Sequence, residues 1–120
     1  MYKQINFRPW GWWMNLHEEP GYLVKVININ KGHQLSLQKH KHREESWTIA
    51  RGKGEIFCEN FWQVARQGKM VKIKQGTPHR AKAIDDNLVI IEVQHGEILS
   101  EDDIYRIEDD YGRVVETQNE

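Results

Sequence analysis

The chain has 120 residues, with 17 basic and 18 acidic side chains and a formal net charge of -1. That length suits one domain over 1–120 with a real core, and an even charge balance without RNP or zinc-finger patterns argues against nucleic acid. A lone cysteine, Cys58, excludes an intrachain disulfide, and no apolar run approaches the roughly 18 residues of a membrane span. No signal-peptide pattern opens the chain, so a cytoplasmic protein without membrane contact is expected.

Isoleucine and valine together number 20 against 6 leucines, a composition that favours pleated surfaces over helices. Residues 1–13 carry Trp10, Trp12 and Trp13 around Gly11. Such a segment is expected either to lie across a core or to offer a sugar-stacking or dimer surface. Residues 17–21 read as a turn, 22–30 as a strand apolar on both faces, and 31–32 as a break. A strand over 35–41 follows. Its alternation puts Gln38, His40 and His42 on one face and Leu35, Leu37, Lys39 and Lys41 on the other. Residues 43–46 should turn, 47–50 resume a strand, and 51–54 form a hairpin into 55–58. Residues 59–60 turn into a strand over 61–66, and 67–68 into one over 70–74. Residues 75–78 break the chain before strands near 80–84 and over 88–94. Short strands at about ten-residue spacing predict an all-β sandwich or barrel, the jelly roll among them. The tail departs from this pattern. Ser100 followed by acidic residues reads as the cap of a short helix over 100–109, and 114–120 as a frayed end.

The chemistry concentrates in two places. Gln38, His40 and His42 share a strand face, Glu45 lies just beyond, and His79 closes Gly76-Thr77-Pro78-His79. A catalytic metal needs three or four such side chains and an open position. Imidazole with carboxylate or amide oxygen admits zinc, iron, manganese, cobalt or nickel as the one divalent ion. Two registers remain: Gln38, His40, Glu45 and His79 as ligands with His42 facing the same cavity, or His40 and His42 as the spaced pair. The spacing Gln38-x-His40-x4-Glu45 followed by Gly-x-x-His resembles the two-motif metal site of the cupin superfamily, where the first position is usually His. That resemblance favours the first register.

The likeness narrows when the motifs are taken in series. They are Arg8-Pro9-Trp10-Gly11, then Leu35-Ser36-Leu37-Gln38 running through His40, His42-Arg43, Glu45 and Trp47, then Gly76 to His79-Arg80. Ile91-Glu92-Val93-Gln94 and Glu101-Asp102-Asp103-Ile104 through Asp110-Tyr111-Gly112-Arg113 complete it. Over residues 8–113 the chain resembles the cupin domain of type II mannose-6-phosphate isomerases. That domain commonly forms the C-terminal part of bifunctional mannose-1-phosphate guanylyltransferase/isomerase proteins.

The resemblance implies a cupin double-stranded β-helix, a jelly-roll barrel with a short C-terminal helix or tail. It also implies a metal-dependent aldose–ketose isomerisation between mannose 6-phosphate and fructose 6-phosphate, with a proton passing between C1 and C2 through an enediol. Candidates for the proton-transfer base are His42 and Glu92. Glu92 shares a strand face with Leu88 and Ile90, where it could equally be the buried partner of a cation. A phosphate calls for fixed cations. Arg113, Arg80, Arg43 and Lys25 occupy matching positions, with Arg113 foremost if the tail folds back over the barrel mouth. A homodimer is the family habit.

Some residues depart from the pattern. Ser46 stands where the family usually has His, Lys31 and Lys74 where it has Pro, and Trp12-Trp13 where it has smaller or polar residues. No Gly-rich nucleotide loop precedes the domain, so a stand-alone isomerase without a nucleotidyltransferase domain is expected. Ser46 leaves open a rival of another class, a metal-holding module that binds a sugar, a sugar nucleotide or a partner protein without turnover.

Overall fold

β-Branched residues and closely spaced turn signals yield eleven strands in this computed structural model, which describes residues 4–114. The first five are β1 (Asn6–Arg8), β2 (Gly11–Glu19), β3 (Tyr22–Ile29), β4 (Leu37–Lys39) and β5 (Glu44–Arg51). β6 (Lys53–Cys58), β7 (Phe61–Arg66), β8 (Met70–Ile73), β9 (His79–Ala83), β10 (Leu88–His95) and β11 (Tyr105–Glu108) follow. They form two antiparallel sheets, ordered β1-β2-β3-β10-β5-β8 and β11-β4-β9-β6-β7. The sheets face one another as a jelly-roll barrel, the all-β architecture that the turn spacing predicts. Among the described residues no helix is long and apolar enough to cross a membrane.

The inward face of each strand changes character along its length. In β10 the buried positions are Leu88, Ile90, Glu92 and Gln94, alternating with half-buried Val89, Ile91 and Val93. Cross-strand pairing extends this change across the six-stranded sheet. Trp13, Ile27, Ile90 and Ile49 make one row, and Asn15, Lys25, Glu92 and Trp47 the next. Ile27, Ile49 and Ile90 join Ile29, Leu35, Ile56, Ile73 and Leu88 in the hydrophobic cluster. Each such side chain contributes about 1.5–3 kcal/mol by leaving water. One end of the barrel is therefore dry and tightly held, and it carries the polar rows at the other end.

Several local expectations change. The Trp-rich segment does lie against the core, with Trp10 in it and Trp13 packed on it, but it enters β2, which runs on to Glu19 before turning at Pro20-Gly21. β4 ends at Lys39, and β5 already begins at Glu44, so the bend occupies 40–43 rather than 43–46. The expected helix over 100–109 is absent. Ser100 does cap, its Oγ accepting from the Asp102 N–H at 3.0 Å, but only a turn results. The Asp103 carboxylate instead accepts from the backbone N–H groups of Lys41 and His42, both at 2.8 Å. That tertiary contact draws the chain flat, and Tyr105–Glu108 pairs with β4 as β11. Of the expected frayed end over 114–120, residues 115–120 lie outside the described ones.

The backbones of β6 and β9, neighbours in one sheet, leave no room for a side chain at Gly54. A Cβ added at Gly54 would stand 1.9 Å from the Lys82 carbonyl oxygen. No loop or flexible side chain can give way there, because Gly54 is paired on both sides, to Ala65 and to Ala83. Gly54→Ala should therefore destabilise the protein by about 1–3 kcal/mol, read as a lowered midpoint in urea or thermal unfolding; an unchanged midpoint would contradict this packing.

Candidate metal centre and cavity

His40 follows the end of β4, Glu45 lies on β5 and His79 opens β9, so three strands from both sheets converge at the polar end. All three side chains are buried, and one ligand-type atom from each lies within 4.8 Å of the others. The imidazoles are oriented by backbone carbonyls. His40 Nδ1–H donates to the Asp103 oxygen at 2.7 Å, and His79 Nδ1–H donates to the Thr77 oxygen at 2.8 Å. A carbonyl can only accept, so in the neutral form of either ring the Nε2 atom carries the lone pair. Those two lone pairs face the Glu45 carboxylate, at 3.2 Å from His40 and 3.5 Å from His79.

Burial pushes the His40 pKa down to about 4, against the pull of the neighbouring Glu45 charge, so the ring is neutral at neutral pH. Burial works against the Glu45 carboxylate too, yet its pKa is held well below the usual range, with the Arg43 guanidinium as the fixed cation beside it. Two lone pairs and a carboxylate aimed at one point make a donor set suited to a cation. Arg43 answers part of that demand. Its Nε donates to Glu45 at 2.8 Å, its Nη1 donates to the Ser100 oxygen, and its Nη2 lies 3.4 Å from His40 Nε2. The buried His79 Nε2 meets no hydrogen-bond donor among the described residues. His40, Glu45 and His79 thus fit a metal ion by donor chemistry, and the orphaned nitrogen is where the demand is plainest.

Glu45 reaches a cavity of about 380 Å³ whose wall also includes Gln38, Trp47, Glu92 and Lys25. Gln38 pairs with His79 across β4 and β9, and its amide nitrogen donates to Ser36, which leaves its carbonyl oxygen for a ligand. The Trp47 indole N–H is shared between Glu45 at 3.1 Å and Glu92 at 2.8 Å. Gln94 donates to the other Glu92 oxygen at 2.6 Å. Burial, then the charge of Glu45, pushes the Glu92 pKa up to about 7, against the nearby Lys25 and Arg43. Lys25 pairs across strands with Glu92, lies 4.2 Å over the Trp13 ring and bonds Glu101.

The cavity gathers Gln38, Glu45, Glu92, Lys25, Arg43 and Arg113, and four of the expected residues, His40, His42, His79 and Arg80, do not line it. His42 is exposed and lines a separate outer depression with Glu44 and His95. Alternation stops at Lys39, and the bend that follows turns His42 outward while its backbone is held by Asp103. His42 therefore stands apart from the group of His40, Glu45 and His79. Arg80 points to the opposite face of β9 from His79, donating to the Leu35 oxygen and to Glu108. Arg113 reaches the cavity rim, held there by both oxygens of Asp109. Sequence reasoning missed Asp103, Arg106 and Arg8. The acidic run around Asp103 carried a signal, but it was indistinguishable from a helix cap.

A family model described as mannose-6-phosphate isomerase C-terminal matches residues 1–109. Among curated relatives, the alginate biosynthesis protein AlgA of Pseudomonas aeruginosa is 38% identical over 92% of this chain. The xanthan biosynthesis protein XanB of Xanthomonas campestris is 38% identical over 90% of it. The mannose-1-phosphate guanylyltransferase ManC of Salmonella typhimurium is 33% identical over 95%. The chain spans only 23–24% of the length of these relatives. The capsular polysaccharide assembling protein CapF of Staphylococcus aureus shares the fold at a TM-score of 0.79 and 20% identity, over 89% of this chain and 34% of its own. Oxalate decarboxylase OxdC of Bacillus subtilis does so at 0.78 and 14%, over 88% and 30%.

The raised pKa of Glu92 has a sign that can be measured. The folded protein keeps this proton between about pH 4.5 and about pH 7, where the unfolded chain has released it. Its contribution to stability is thus present below about 4.5 and lost as pH rises through about 7. In metal-free protein, Glu92→Gln should remove that loss. The difference in unfolding free energy between wild type and variant is expected to change across this window, and a constant difference would contradict the assignment.

Proposed function

The chain belongs to the mannose-6-phosphate isomerase C-terminal family, and on that premise we propose that it is a metal-dependent aldose–ketose isomerase of a sugar phosphate, with mannose 6-phosphate and fructose 6-phosphate as the substrate pair. One observation carries this reading: the lone pairs of His40 and His79 converge on Glu45, and one indole N–H joins that carboxylate to Glu92 in the same cavity wall. His40, Glu45 and His79, with the Gln38 oxygen beside them, would hold a divalent cation. Bound there, such an ion supplies Lewis-acid polarisation of the sugar carbonyl and stabilises the enediolate.

Glu92 moves the carbon-bound proton. As carboxylate it takes the proton from C2 of the aldose, the C2–H electron pair becomes the C1=C2 bond, and the C1=O pair collects on O1, which takes the proton from O2. The C1=C2 pair then takes the proton back from Glu92 at C1 while the O2 pair forms the ketone at C2, so atoms and charge balance. A base that must also act as an acid works best near the ambient pH, and Glu92 is poised there at about 7. Trp47 and Gln94 fix its two oxygens, and Lys25 stands across the strand pair. His42, on the outer surface, is not part of this cycle.

The reading includes a homodimer. Trp12, Met14, Val26, Ile91 and Met70 give the outer face of the six-stranded sheet an apolar character, with Met70 72% exposed, which supports pairing of two such faces.

The test is chelation followed by restoration with a panel of divalent ions, reading fructose 6-phosphate formed from mannose 6-phosphate. Restored protein should turn over, and Glu92→Gln should slow it by about 10²–10⁴-fold without loss of bound metal. His79→Ala should abolish stoichiometric metal by elemental analysis, while His42→Ala should keep both metal and activity. Restored wild-type protein that binds hexose 6-phosphate yet never isomerises it would replace this reading with a binding module.

A further inference from the structure

Five basic side chains line the cavity, and four of them are already engaged. Arg43 is bound to Glu45, Lys25 to Glu101 and Arg113 to Asp109, while Arg8 donates from Nη1 to the Phe7 oxygen at 2.8 Å. Arg106 differs. Its Nε is buried and meets no acceptor among the described residues. A buried guanidinium N–H without an acceptor is costly, and it points to a missing anion.

The position of Arg106 says what that anion belongs to. Arg106 pairs with Gln38 and Gln38 with His79, so the three lie in one inward row on β11, β4 and β9. Strand spacing places Arg106 about 10 Å from His79 along that row, a span suited to an extended six-carbon chain bearing a terminal phosphate. We propose that Arg106, flanked by Arg8 and Arg113, is the seat for the phosphomonoester group of the substrate, holding the far end of a sugar whose reacting carbons lie between Glu45 and Glu92. The charges around the seat agree with this. Burial first, and then Arg113 and Arg8, disfavour the Arg106 cation, with Asp109 and Glu101 opposing them. Yet Asp109 and Glu101 are themselves committed to Arg113 and Lys25. A dianion would relieve three guanidinium groups at once.

This inference rests on the sugar-phosphate reading, but calorimetry on the whole metal-free chain tests it without turnover, with fructose 6-phosphate, fructose and inorganic phosphate as probes. Wild-type protein should bind fructose 6-phosphate at least about tenfold more tightly than fructose, with inorganic phosphate competing. Arg106→Gln should lose about tenfold or more in affinity for fructose 6-phosphate and nothing for fructose, and Arg106→Lys should recover part of the loss. Arg8→Gln, at an exposed position, should give a smaller loss in the same direction. Equal affinity for the two sugars, or undiminished binding in a natively melting Arg106→Gln, would overturn the seat. So would tighter binding of inorganic phosphate than of fructose 6-phosphate. If no isomerisation occurs but Arg106-dependent binding persists, the seat stands and the isomerase reading falls. If turnover occurs with KM unchanged in Arg106→Gln, the reverse holds.

Discussion

A charged carboxylate in the interior of a barrel must be answered on every side, and Glu45 organises its surroundings accordingly. It is 1% exposed, and it receives Arg43 and the Trp47 indole N–H, with the Nε2 edges of two imidazoles beside it. Removing an ion from water costs several kcal/mol, so each of these partners is itself fixed by a further contact. Arg43 reaches the Ser100 carbonyl, Trp47 reaches Glu92, His40 is held by Asp103 and His79 by Thr77. Constraint spreads outward from one side chain. The rows of isoleucine at the opposite end of the barrel supply the burial that lets such a costly arrangement persist.

Much of the barrel was legible because turn chemistry is local. The Glu59-Asn60 hairpin reads directly from the sequence, and the structure turns there with positive φ at both residues, whereas Arg51-Gly52-Lys53-Gly54, expected as a hairpin, carries the chain from one sheet to the other. The metal-type group was legible too, since His40, Glu45 and His79 carry their chemistry in their identity. Direction was harder. The side on which His42 falls depends on where alternation stops, and that is set by the Asp103 carboxylate, distant in sequence, binding two backbone N–H groups. The same carboxylate explains why a convincing helix signal over 100–109 gave a turn and β11: a good local cap lost to tertiary hydrogen bonds. Arg106 and Arg8 escaped notice because isolated arginines look alike until a wall brings them together.

The cavity wall has two origins. Strands of the barrel supply Gln38, Glu45, Trp47 and Glu92, on elements paired along both edges. Residues 100–113 supply Glu101, Asp102, Ile104, Arg106 and Arg113 and cross the mouth as a strap. This strap is tied down at separated points: Asp103 to the 40–42 bend, Tyr111 to His33 at 2.6 Å, and Asp110 to Gln34. The two carboxylates and Gln38 thus sit on the barrel strands, and Arg106 and Arg113 at the mouth sit on the segment fastened to them.

The two are joined at one residue. Asp103 grips the backbone of Lys41 and His42 with its side chain and orients the His40 ring with its carbonyl. Asp103 therefore ties the seating of the strap to the orientation of the His40 ring. By reciprocity, whatever free energy a docked strap lends to a ligand of His40, an occupied His40 would return to the docking of the strap.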